Sequence, residues 1–318
     1  MRWLVTGAAG YIGAHVVRAM ITAGHDLVAL DDLSTGVAAR LPAEAGLVVR
    51  GVADPDLAEL LVDLGVTGVV HLAAKKSVPE SVAHPLHYFA ENVGGTTALL
   101  TAAVRAGVDA VVYSSSAAVY GETGTDPVTE DHPTVPTNPY GETKLAAEWA
   151  VRRAAEAHGL RWCALRYFNV AGAADAALAD RGATNLLPLV HRAMATGEPL
   201  RVLGDDYDTP DGTCIRDYVH VDDLAEAHVA AAASLTAGGS PGVLNVGRNT
   251  GVSVLEMVGA VERITGRAVP HVVAPRRPGD PARVVADASR IAGRLGWRAR
   301  RGLDELVAMP AELSGRRG

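Results

Sequence analysis

The chain has 318 residues, of which 48% are hydrophobic and 20% are charged, and its formal net charge is −7. These values predict a globular protein with one large domain or two modest ones. The negative charge and the scattered arginines exclude a basic surface for nucleic acid. The sequence also contains no uninterrupted apolar stretch of about 18 residues that would span a membrane.

The two cysteines, Cys163 and Cys214, fit no metal-ligand spacing, so we predict buried or half-buried free thiols. Free thiols are typical of a reducing compartment. The opening residues, "MRWLVTGAAG", lack the charged start and the cleavage site of a signal peptide. We therefore predict a cytoplasmic protein that needs no metal.

Short apolar runs alternate with helical patterns through the first half of the chain. The runs predicted as strands are "WLVTG" (3–7), "DLVALDD" (26–32), "GLVVRG" (46–51), "GVVHLAA" (68–74), "AVVYSSS" (110–116) and "RWCALRYFN" (161–169). The helical patterns between them include "YIGAHVVRAMITAG" (11–24), "NVGGTTALLTAAVRAG" (92–107) and "TKLAAEWAVRRAAEAHG" (143–159). This alternation predicts a parallel sheet covered on both faces, and right-handed crossovers favour the doubly wound arrangement.

After residue 170 the pattern changes. The polar segment "GDDYDTPDGTCIRDY" (204–218) is predicted as a long working loop. Helical patterns follow at 222–235 and 253–266, with short strands between them. The predicted organisation is a nucleotide-binding domain at 1–170, to which later segments such as 218–235 return, and a smaller mixed α/β domain at 171–318.

The segment "TGAAGYIG" (6–13) follows the first predicted strand and opens the first predicted helix. Glycines at Gly7, Gly10 and Gly13 allow a tight turn, close approach of the backbone to a pyrophosphate, and close packing of helix on sheet. The N-terminus of the helix then presents free N–H groups and a positive dipole to the phosphates. This context predicts a dinucleotide site.

Asp31 ends the second predicted strand, where a carboxylate can bind a ribose 2′-hydroxyl. A carboxylate there repels a 2′-phosphate, and no arginine stands beside it, so NAD is favoured over NADP. The alternative is that Asp31 only caps a turn in "DDLSTG".

Tyr140 and Lys144 lie one helical turn apart in "NPYGETK" (138–144), so their side chains leave the helix on the same face. A phenol ordinarily titrates near pH 10. A lysine ammonium, together with the charge of an oxidised nicotinamide, would favour the phenolate and lower that pKa. "SSS" (114–116) ends a strand at the carboxyl edge, where a serine hydroxyl can hold a substrate oxygen. The alternative is a surface helix with a plain Tyr–Lys contact.

Six motifs then carry a resemblance over nearly the whole chain. They are "TGAAGYIG", "YSSSAAVYG", "PYGETK", "LRYFNVAGA", "DGTCIRDYVHVDDLA" and "APRRPGD". In this order and spacing they resemble the UDP-glucose 4-epimerase (UDP-galactose 4-epimerase) family of the extended short-chain dehydrogenase/reductase superfamily. The resemblance implies a Rossmann-type doubly wound parallel sheet with a smaller mixed α/β substrate-binding domain. It also implies an isomerase of galactose metabolism that interconverts UDP-galactose and UDP-glucose by C4 oxidation with NAD, rotation of the 4-keto sugar and re-reduction.

The resemblance also implies roles for individual residues. Tyr140 is then the catalytic base, Lys144 its electrostatic partner and a ribose ligand, and Ser116 the second hydroxyl. Besides Tyr140 and Lys144, the implied cofactor contacts are Gly7, Gly10, Tyr11, Ile12, Gly13, Asp31, Asp32, Leu33, Ser34, Thr35, Gly36, Val52, Ala53, Leu72, Ala73, Ala74, Lys76, Asn92 and Phe168. The implied substrate contacts are Lys76, Ser116, Tyr140, Asn169, Asn185, Leu186, Arg201, Val202, Leu203, Arg216, Arg277, Asp280 and Val284.

Within the substrate set, Arg216 and Arg277 match the arginines that grip the diphosphate, and Asp280 matches an acid that binds ribose. Guanidinium suits phosphate because its fixed fork matches the phosphate oxygens. The alternative for each arginine is a surface ion pair. The family also implies a homodimer formed through helices such as 92–107 and 143–159, which are equally compatible with ordinary core packing.

Two positions depart from the family pattern. Val52 stands where the family usually has an aspartate that contacts adenine, and Asp54 is the alternative ligand. Val284 stands where a bulky residue excludes N-acetyl sugars and a small one admits them. Valine is intermediate in size, so activity on UDP-GlcNAc and UDP-GalNAc is an alternative expectation.

Rival functions are weighed on the same residues. A nucleotide-sugar 4,6-dehydratase needs an Asp-Glu pair after the active-site hydroxyl, and Ala117 and Ala118 stand there instead. A sugar-acid decarboxylase, or an epimerase acting on another nucleotide sugar, stays open. A non-catalytic NAD-binding sensor is the alternative from another class, and the presence of both Tyr140 and Lys144 disfavours it.

Overall fold

The computed structural model describes residues 1–124, 126–173, 175–180, 182, 185–277 and 279–308. Pro278 of "APRRPGD" and residues 309–318 of the predicted second domain lie outside the described residues. The strands are β1 (Arg2–Thr6), β2 (Asp26–Asp31), β3 (Val48–Val49), β4 (Gly68–His71), β5 (Ala110–Ser116), β6 (Arg161–Tyr167), β7 (Asn169–Ala171), β8 (Leu200–Leu203), β9 (Ile215–His220), β10 (Gly242–Val246), β11 (Gly251–Ser253), β12 (His271–Ala274) and β13 (Arg283–Val284). The helices are α1 (Tyr11–Thr22), α2 (Leu57–Asp63), α3 (Val78–Ala83), α4 (Pro85–Tyr88), α5 (Gly95–Arg105), α6 (Pro139–His158), α7 (Leu186–Thr196), α8 (Val221–Thr236), α9 (Val254–Thr265), α10 (Ser289–Leu295) and α11 (Leu303–Val307).

Within the described ranges, seven strands form one parallel sheet in the order β10-β6-β5-β4-β1-β2-β3. Helices α1 and α8 pack on one face, and helices α2, α5 and α6 pack on the other. The strand order reverses between β1 and β4, and ligands of doubly wound sheets bind at the carboxyl ends beside such a reversal. The predicted doubly wound sheet is therefore confirmed, and the predicted glycine turn lies at its switch point.

Strand β10 lies where short strands are predicted between the helical patterns at 222–235 and 253–266, but its place in the large sheet is absent from the sequence prediction. It pairs in parallel with β6, Gly242 lying opposite Cys163, and so extends the sheet at one edge. Helix α8, inside the predicted returning segment 218–235, packs against α1 in the same core cluster. The chain thus returns to the first sheet through a helix and a further strand, and the proposed division at residue 170 stays a prediction.

The predicted loop at 204–218 is too long by four residues, because β9 begins at Ile215. Its polar character misled the prediction. Asp217 is fully buried in this strand, where its carboxylate accepts hydrogen bonds from the backbone N–H groups of Arg248, Asn249 and Ala286. A buried carboxylate with several backbone donors is satisfied within a strand.

The remaining strands build a smaller layer. Strands β7, β11 and β13 join β9, while β8 pairs with β12 in a separate ladder. Their core cluster, which includes Val202, Tyr218 and Val252, is backed by α7, α9 and α11. Strand β9 therefore contributes to both cores, because Tyr218 belongs to this cluster and Val219 to the core of the large sheet.

Both cysteines are free thiols, Cys163 buried and Cys214 half-buried, as predicted. Among the described helices, none has the length and apolar character needed to cross a membrane.

Candidate active site

The glycine turn between β1 and α1 leaves no room for side chains. Gly7 has φ +64°, and a Cβ atom there would lie 2.7 Å from the backbone nitrogen of Ala73. A Cβ atom at Gly13 would lie 2.0 Å from the carbonyl oxygen of Gly7. The backbone is therefore bare where α1 begins, and its first N–H groups are available to a phosphate. The turn fits the pyrophosphate of a dinucleotide.

We expect Gly7→Ala to weaken NAD binding at least tenfold and to lower the free energy of unfolding, because the new methyl group collides with the β4 loop. Gly24→Ala is the matched control, since Gly24 has φ +80° and a Cβ atom there would have no heavy atom within 4 Å. Calorimetric NAD titration and denaturant unfolding compare the two variants. Equal NAD affinities would contradict a close approach at Gly7.

Asp31 ends β2 with its carboxylate turned toward two backbone segments. One oxygen accepts from Ala9 N at 2.9 Å, and the other accepts from Leu33 N at 2.8 Å. The second bond holds Leu33 at φ +59°, a conformation rarely adopted by leucine. Asp31 therefore does cap the turn, as the alternative interpretation predicted. Ribose binding by its remaining lone pairs stays a prediction.

The segment 31–36 wraps around this carboxylate. A Cβ atom at Gly36 would lie 2.5 Å from the Asp31 Oδ1 atom, so only glycine fits there. Asp32 accepts a hydrogen bond from Ser34 N at 2.9 Å, and hydrogen bonding to Ser34 lowers the pKa of the Asp32 carboxyl against the effect of desolvation. The segment is a rigid turn beside the glycine loop.

The adenine side of the predicted site contains Val52, whose side chain packs with the cluster between α2 and α5. Asp54, the alternative adenine ligand, pairs with Arg50 at 2.7 Å and accepts from Asp56 N at 3.0 Å. The Arg50 contact holds the pKa of the Asp54 carboxyl below its usual value. Asp54 is half-buried and already engaged, so an adenine contact from it stays a prediction.

The loop after β4 is tied to the tyrosine helix by Asn92. Its amide accepts from Lys75 N at 2.8 Å and donates to Lys75 O and to Thr143 Oγ1, each at 3.0 Å. Thr143 in turn donates to the Tyr140 carbonyl at 2.8 Å. A π-helical segment at Phe89–Gly94 contains Asn92, and such a bulge often marks a functional site. Asn92 thus orients both the loop and α6.

Tyr140 stands in the first turn of α6, which begins at Pro139 because Asn138 caps it. Ser116 ends β5, and its Oγ accepts from Ala118 N at 3.1 Å. Both residues are 9% exposed. Burial raises the pKa of Tyr140, and a hydrogen bond with Ser116 opposes that rise. The two hydroxyls therefore meet at the carboxyl edge of the sheet, as the sequence predicted.

Lys144 is 3% exposed and donates from Nζ to the Ser114 carbonyl at 2.8 Å. Its ammonium lies 5.3 Å from the ring centroid of Tyr113. Burial lowers the pKa of Lys144 to about 7. The sequence predicted that Lys144, together with a cofactor charge, lowers the pKa of Tyr140. In the protein alone, burial raises the pKa of Tyr140 and prevails over the opposing hydrogen bond with Ser116.

On the substrate side, Arg216 of β9 donates to the Asp280 carboxylate at 2.5 Å. Val284 of β13 lies directly beside Arg216 in the ladder. Its side chain packs against the cluster that contains Phe168, and so does that of Ala117. Residues from three distant parts of the chain thus meet near the end of β5. Arg277 is exposed on the loop that leads to Asp280.

Four further residues predicted to contact substrate differ in their exposure. Asn169 of β7 is exposed, and it lies opposite Tyr218 in the ladder with β9. In β8, Arg201 is exposed and Leu203 is half-buried, while the Val202 side chain belongs to the core cluster. Val202 is thus placed to contact a ligand only through its backbone.

Sequence reasoning missed a buried ion pair beneath the tyrosine helix. Glu148 binds Arg166 through two hydrogen bonds of 3.0 and 2.5 Å and accepts from Ser115 Oγ at 2.9 Å. The Arg166 guanidinium lies 4.9 Å from the ring centroid of Tyr120. The spacing of Glu148, one turn beyond Lys144 on the same face, is the pattern that would have revealed it.

A second missed group lies behind the lysine. His228 of α8 is fully buried, with Nδ1 2.9 Å from the Leu224 carbonyl and Nε2 2.9 Å from Ser114 Oγ. The carbonyl contact requires a proton on Nδ1, so Ser114 donates to Nε2. Burial lowers the pKa of His228 to about 4. The imidazole is therefore neutral at pH 7.

This neutral histidine predicts acid sensitivity. The pKa of His228 is lower in the folded protein than in the unfolded chain. The contribution of the neutral imidazole to the free energy of unfolding is therefore fully present above pH 6.5 and is lost as the pH falls toward 4. His228→Gln should reduce the pH slope of the free energy of unfolding by about 1.4 kcal/mol per pH unit between pH 6 and 4.5. Urea unfolding across that range measures the slope. His87→Gln, at an exposed histidine, is the control, and equal slopes in both variants would contradict the prediction.

In the part of the chain that the structure describes, no three His, Cys, Asp or Glu side chains gather as around a metal ion. Three features define a Rossmann-fold protein of the short-chain dehydrogenase/reductase type: the bare glycine turn, the acid that ends β2, and the Tyr140 and Lys144 pair of α6 beside the end of β5.

Comparison with known proteins narrows this class. A family model described as the NAD dependent epimerase/dehydratase family matches residues 3–247. The UDP-glucose 4-epimerase of Azospirillum brasilense is 48% identical over 301 residues, which cover 93% of this chain and 86% of the relative. The chain therefore belongs to the NAD dependent epimerase/dehydratase family.

Solved structures of UDP-glucose 4-epimerases agree with this family assignment. The UDP-glucose-4-epimerase of Stenotrophomonas maltophila, with bound NAD and formylated UDP-arabinopyranose, superposes with a TM-score of 0.94 at 40% identity, covering 99% of this chain and 98% of that one. The Brucella ovis UDP-glucose 4-epimerase, in complex with NAD, gives a TM-score of 0.92 at 40% identity, with the same two coverages. The resemblance predicted from the six motifs is confirmed.

Proposed function

We propose that this protein is an NAD-dependent UDP-glucose 4-epimerase that interconverts UDP-galactose and UDP-glucose. The observation that carries the proposal is the meeting of Ser116, Tyr140 and Lys144 at the carboxyl end of β5, beside a glycine turn that fits a pyrophosphate. The relatives named UDP-glucose 4-epimerase, with NAD in their solved structures, support the same reaction and cofactor.

NAD, when bound, supplies the acceptor and donor of hydride at the sugar C4. The glycine turn would hold its pyrophosphate, and Asp31 would hold a ribose hydroxyl. Tyr140 takes the proton of the sugar 4-hydroxyl and returns it after the sugar has turned, so no net proton is consumed. The Ser116 hydroxyl holds the same oxygen, and Lys144 favours the phenolate by its charge.

The nucleotide sugar would lie across Arg216 and Asp280. The Arg216 guanidinium suits the diphosphate, and its present partner Asp280 suits a ribose hydroxyl once the arginine turns to phosphate. The roles of Asn169, Asn185, Leu186, Arg277 and the β8 residues belong to this proposal.

A second candidate is activity on UDP-GlcNAc and UDP-GalNAc. Val284 favours it, because this half-buried valine packs against the cluster that contains Phe168 and is smaller than an aromatic residue. A medium-sized residue at that position leaves more room for an N-acetyl group than an aromatic one.

The deciding experiment incubates the purified protein with UDP-galactose, with and without added NAD, and separates the UDP-hexose products. Formation of UDP-glucose is the expected result. Parallel incubation with UDP-GalNAc tests the second candidate, which absence of turnover would contradict. A requirement for added NAD would indicate loose cofactor binding, as the missing acid at Val52 suggests. No turnover of either substrate would overturn the epimerase proposal.

Homodimerisation through α5 and α6 is also part of the proposal. Trp149 on α6 is 52% exposed, and Phe89 just before α5 is 38% exposed. An open groove of about 590 Å³, lined in part by Phe89, Ala98 and Thr101, runs along α5. These apolar and small side chains suit a helix–helix contact. Sedimentation of the wild type and of Trp149→Glu tests homodimerisation.

A cytoplasmic location stays a prediction.

A further inference from the structure

The segment between β7 and α7 lies against the cofactor half of the candidate site. Tyr11, at the start of α1, donates from its hydroxyl to the Gly172 carbonyl at 2.6 Å. Arg40 donates to the Ala179 carbonyl at 3.0 Å. Two points of the segment are therefore held by residues that belong to the dinucleotide-binding half.

Asp180 follows directly in this segment, and its side chain is only 10% exposed. One carboxylate oxygen accepts from Gly182 N at 2.9 Å. The other accepts from the Asn185 side-chain amide at 2.6 Å. The Lys76 ammonium lies 3.9 Å from the first oxygen. One carboxylate thus contacts a residue expected to bind cofactor or substrate and a second residue expected to bind the sugar nucleotide.

The two contacts differ in strength. The Lys76 side chain is 55% exposed and its ion pair with Asp180 is long, so this contact is weak. The bond to Asn185 is short, charge-assisted and mostly buried, and such bonds are roughly twice as strong as neutral ones. The bond also decides how the amide is oriented. Because the nitrogen of Asn185 faces Asp180, its oxygen, which has no hydrogen-bond donor among the described residues, is placed to accept from a hydroxyl or N–H of a ligand.

We infer that Asp180 is a positioning residue that orients Asn185 for the nucleotide sugar and links it, through Lys76 and the Tyr11 contact, to the cofactor half. The inference rests on the proposed function for the identity of the ligand. The Asp180 carboxylate would also repel bound phosphates, so it raises the affinity for the ligand by orienting Asn185 and lowers it by repulsion. The orientation of Asn185 prevails, because the carboxylate already has an ammonium, an amide and a backbone N–H around it.

The test compares Asp180→Ala and Asp180→Asn with Asp175→Ala. Asp175 is the matched control, because it lies in the same segment and caps a short turn through Ala177 N at 2.7 Å. Both Asp180 variants should raise the KM for UDP-galactose about tenfold and lower kcat less than twofold, with the pH profile of kcat unchanged. Calorimetry should show a similar loss in the affinity for UDP, and Asp175→Ala should match the wild type in both measurements.

A double-mutant cycle with Asn185→Ala shows whether Asp180 acts through Asn185. In the Asn185→Ala background, Asp180→Ala should add less than a twofold effect on KM and on UDP affinity. Additive effects, or tighter UDP binding by Asp180→Asn, would overturn the inference. Loss of thermal stability without a specific change in KM would also overturn it. A wild type that binds UDP but does not turn over UDP-galactose would refute the proposed reaction, while the UDP titrations would still decide the role of Asp180.

Discussion

Replacing Tyr140 with phenylalanine should lower kcat for UDP-galactose by about 10³-fold while leaving NAD affinity within a factor of three, because the variant loses only the group that moves the 4-hydroxyl proton. The ring stays in place on α6, where it is buried against the end of β5. Steady-state kinetics and NAD titration of the same preparation measure the two effects.

Tyr113→Phe is the matched control for this experiment. Tyr113 is also a buried phenol, but among the described residues its hydroxyl bonds only to the Lys144 carbonyl, at 3.4 Å. Phenylalanine keeps the ring beneath the Lys144 ammonium, so kcat should change less than threefold. If the wild type and Tyr140→Phe both bind NAD and both lack turnover, the non-catalytic sensor becomes the better interpretation.

Replacing Arg166 with methionine should lower the free energy of unfolding by about 3–5 kcal/mol, because the variant leaves the Glu148 carboxylate buried without its cation. The Arg166 side chain is 6% exposed and the Glu148 side chain is 5% exposed. Ser115 Oγ, the other described donor to this carboxylate, is neutral and does not replace a guanidinium. Denaturant unfolding with unchanged m-values measures the loss.

Two further variants make this result specific. Arg153→Met breaks an exposed pair with Glu156 on the same helix and should cost less than about 1 kcal/mol. Glu148→Gln combined with Arg166→Met removes the stranded charge and should recover about 2 kcal/mol relative to Arg166→Met alone. A single-variant loss no larger than that of Arg153→Met would show that the pair is not essential to the position of α6.

Much of the nucleotide-binding half is predictable from local patterns. Three features each depend on neighbours close in sequence: the glycines at 7, 10 and 13, the acid that ends β2, and the helical spacing of Tyr140 and Lys144. Strand and helix periodicity likewise depends on short-range geometry, so the parallel sheet follows from it. The substrate residues were reached only through resemblance to a family, since no local rule joins Arg216 to Asp280.

The rest depends on contacts between residues far apart in the chain. Strand β10 joins β6 across about 80 residues, and its short run does not indicate which sheet it enters. Asp180 likewise belongs to no motif, and its proposed role depends on its contacts with Asn185 and Lys76. The pKa values of Tyr140 and Lys144 follow from burial, which spacing does not reveal. Local sequence therefore determines which groups are present and on which face of an element they lie. Tertiary packing decides which groups meet and how far they are removed from water, because desolvation and long-range contacts arise only when the chain has closed around them.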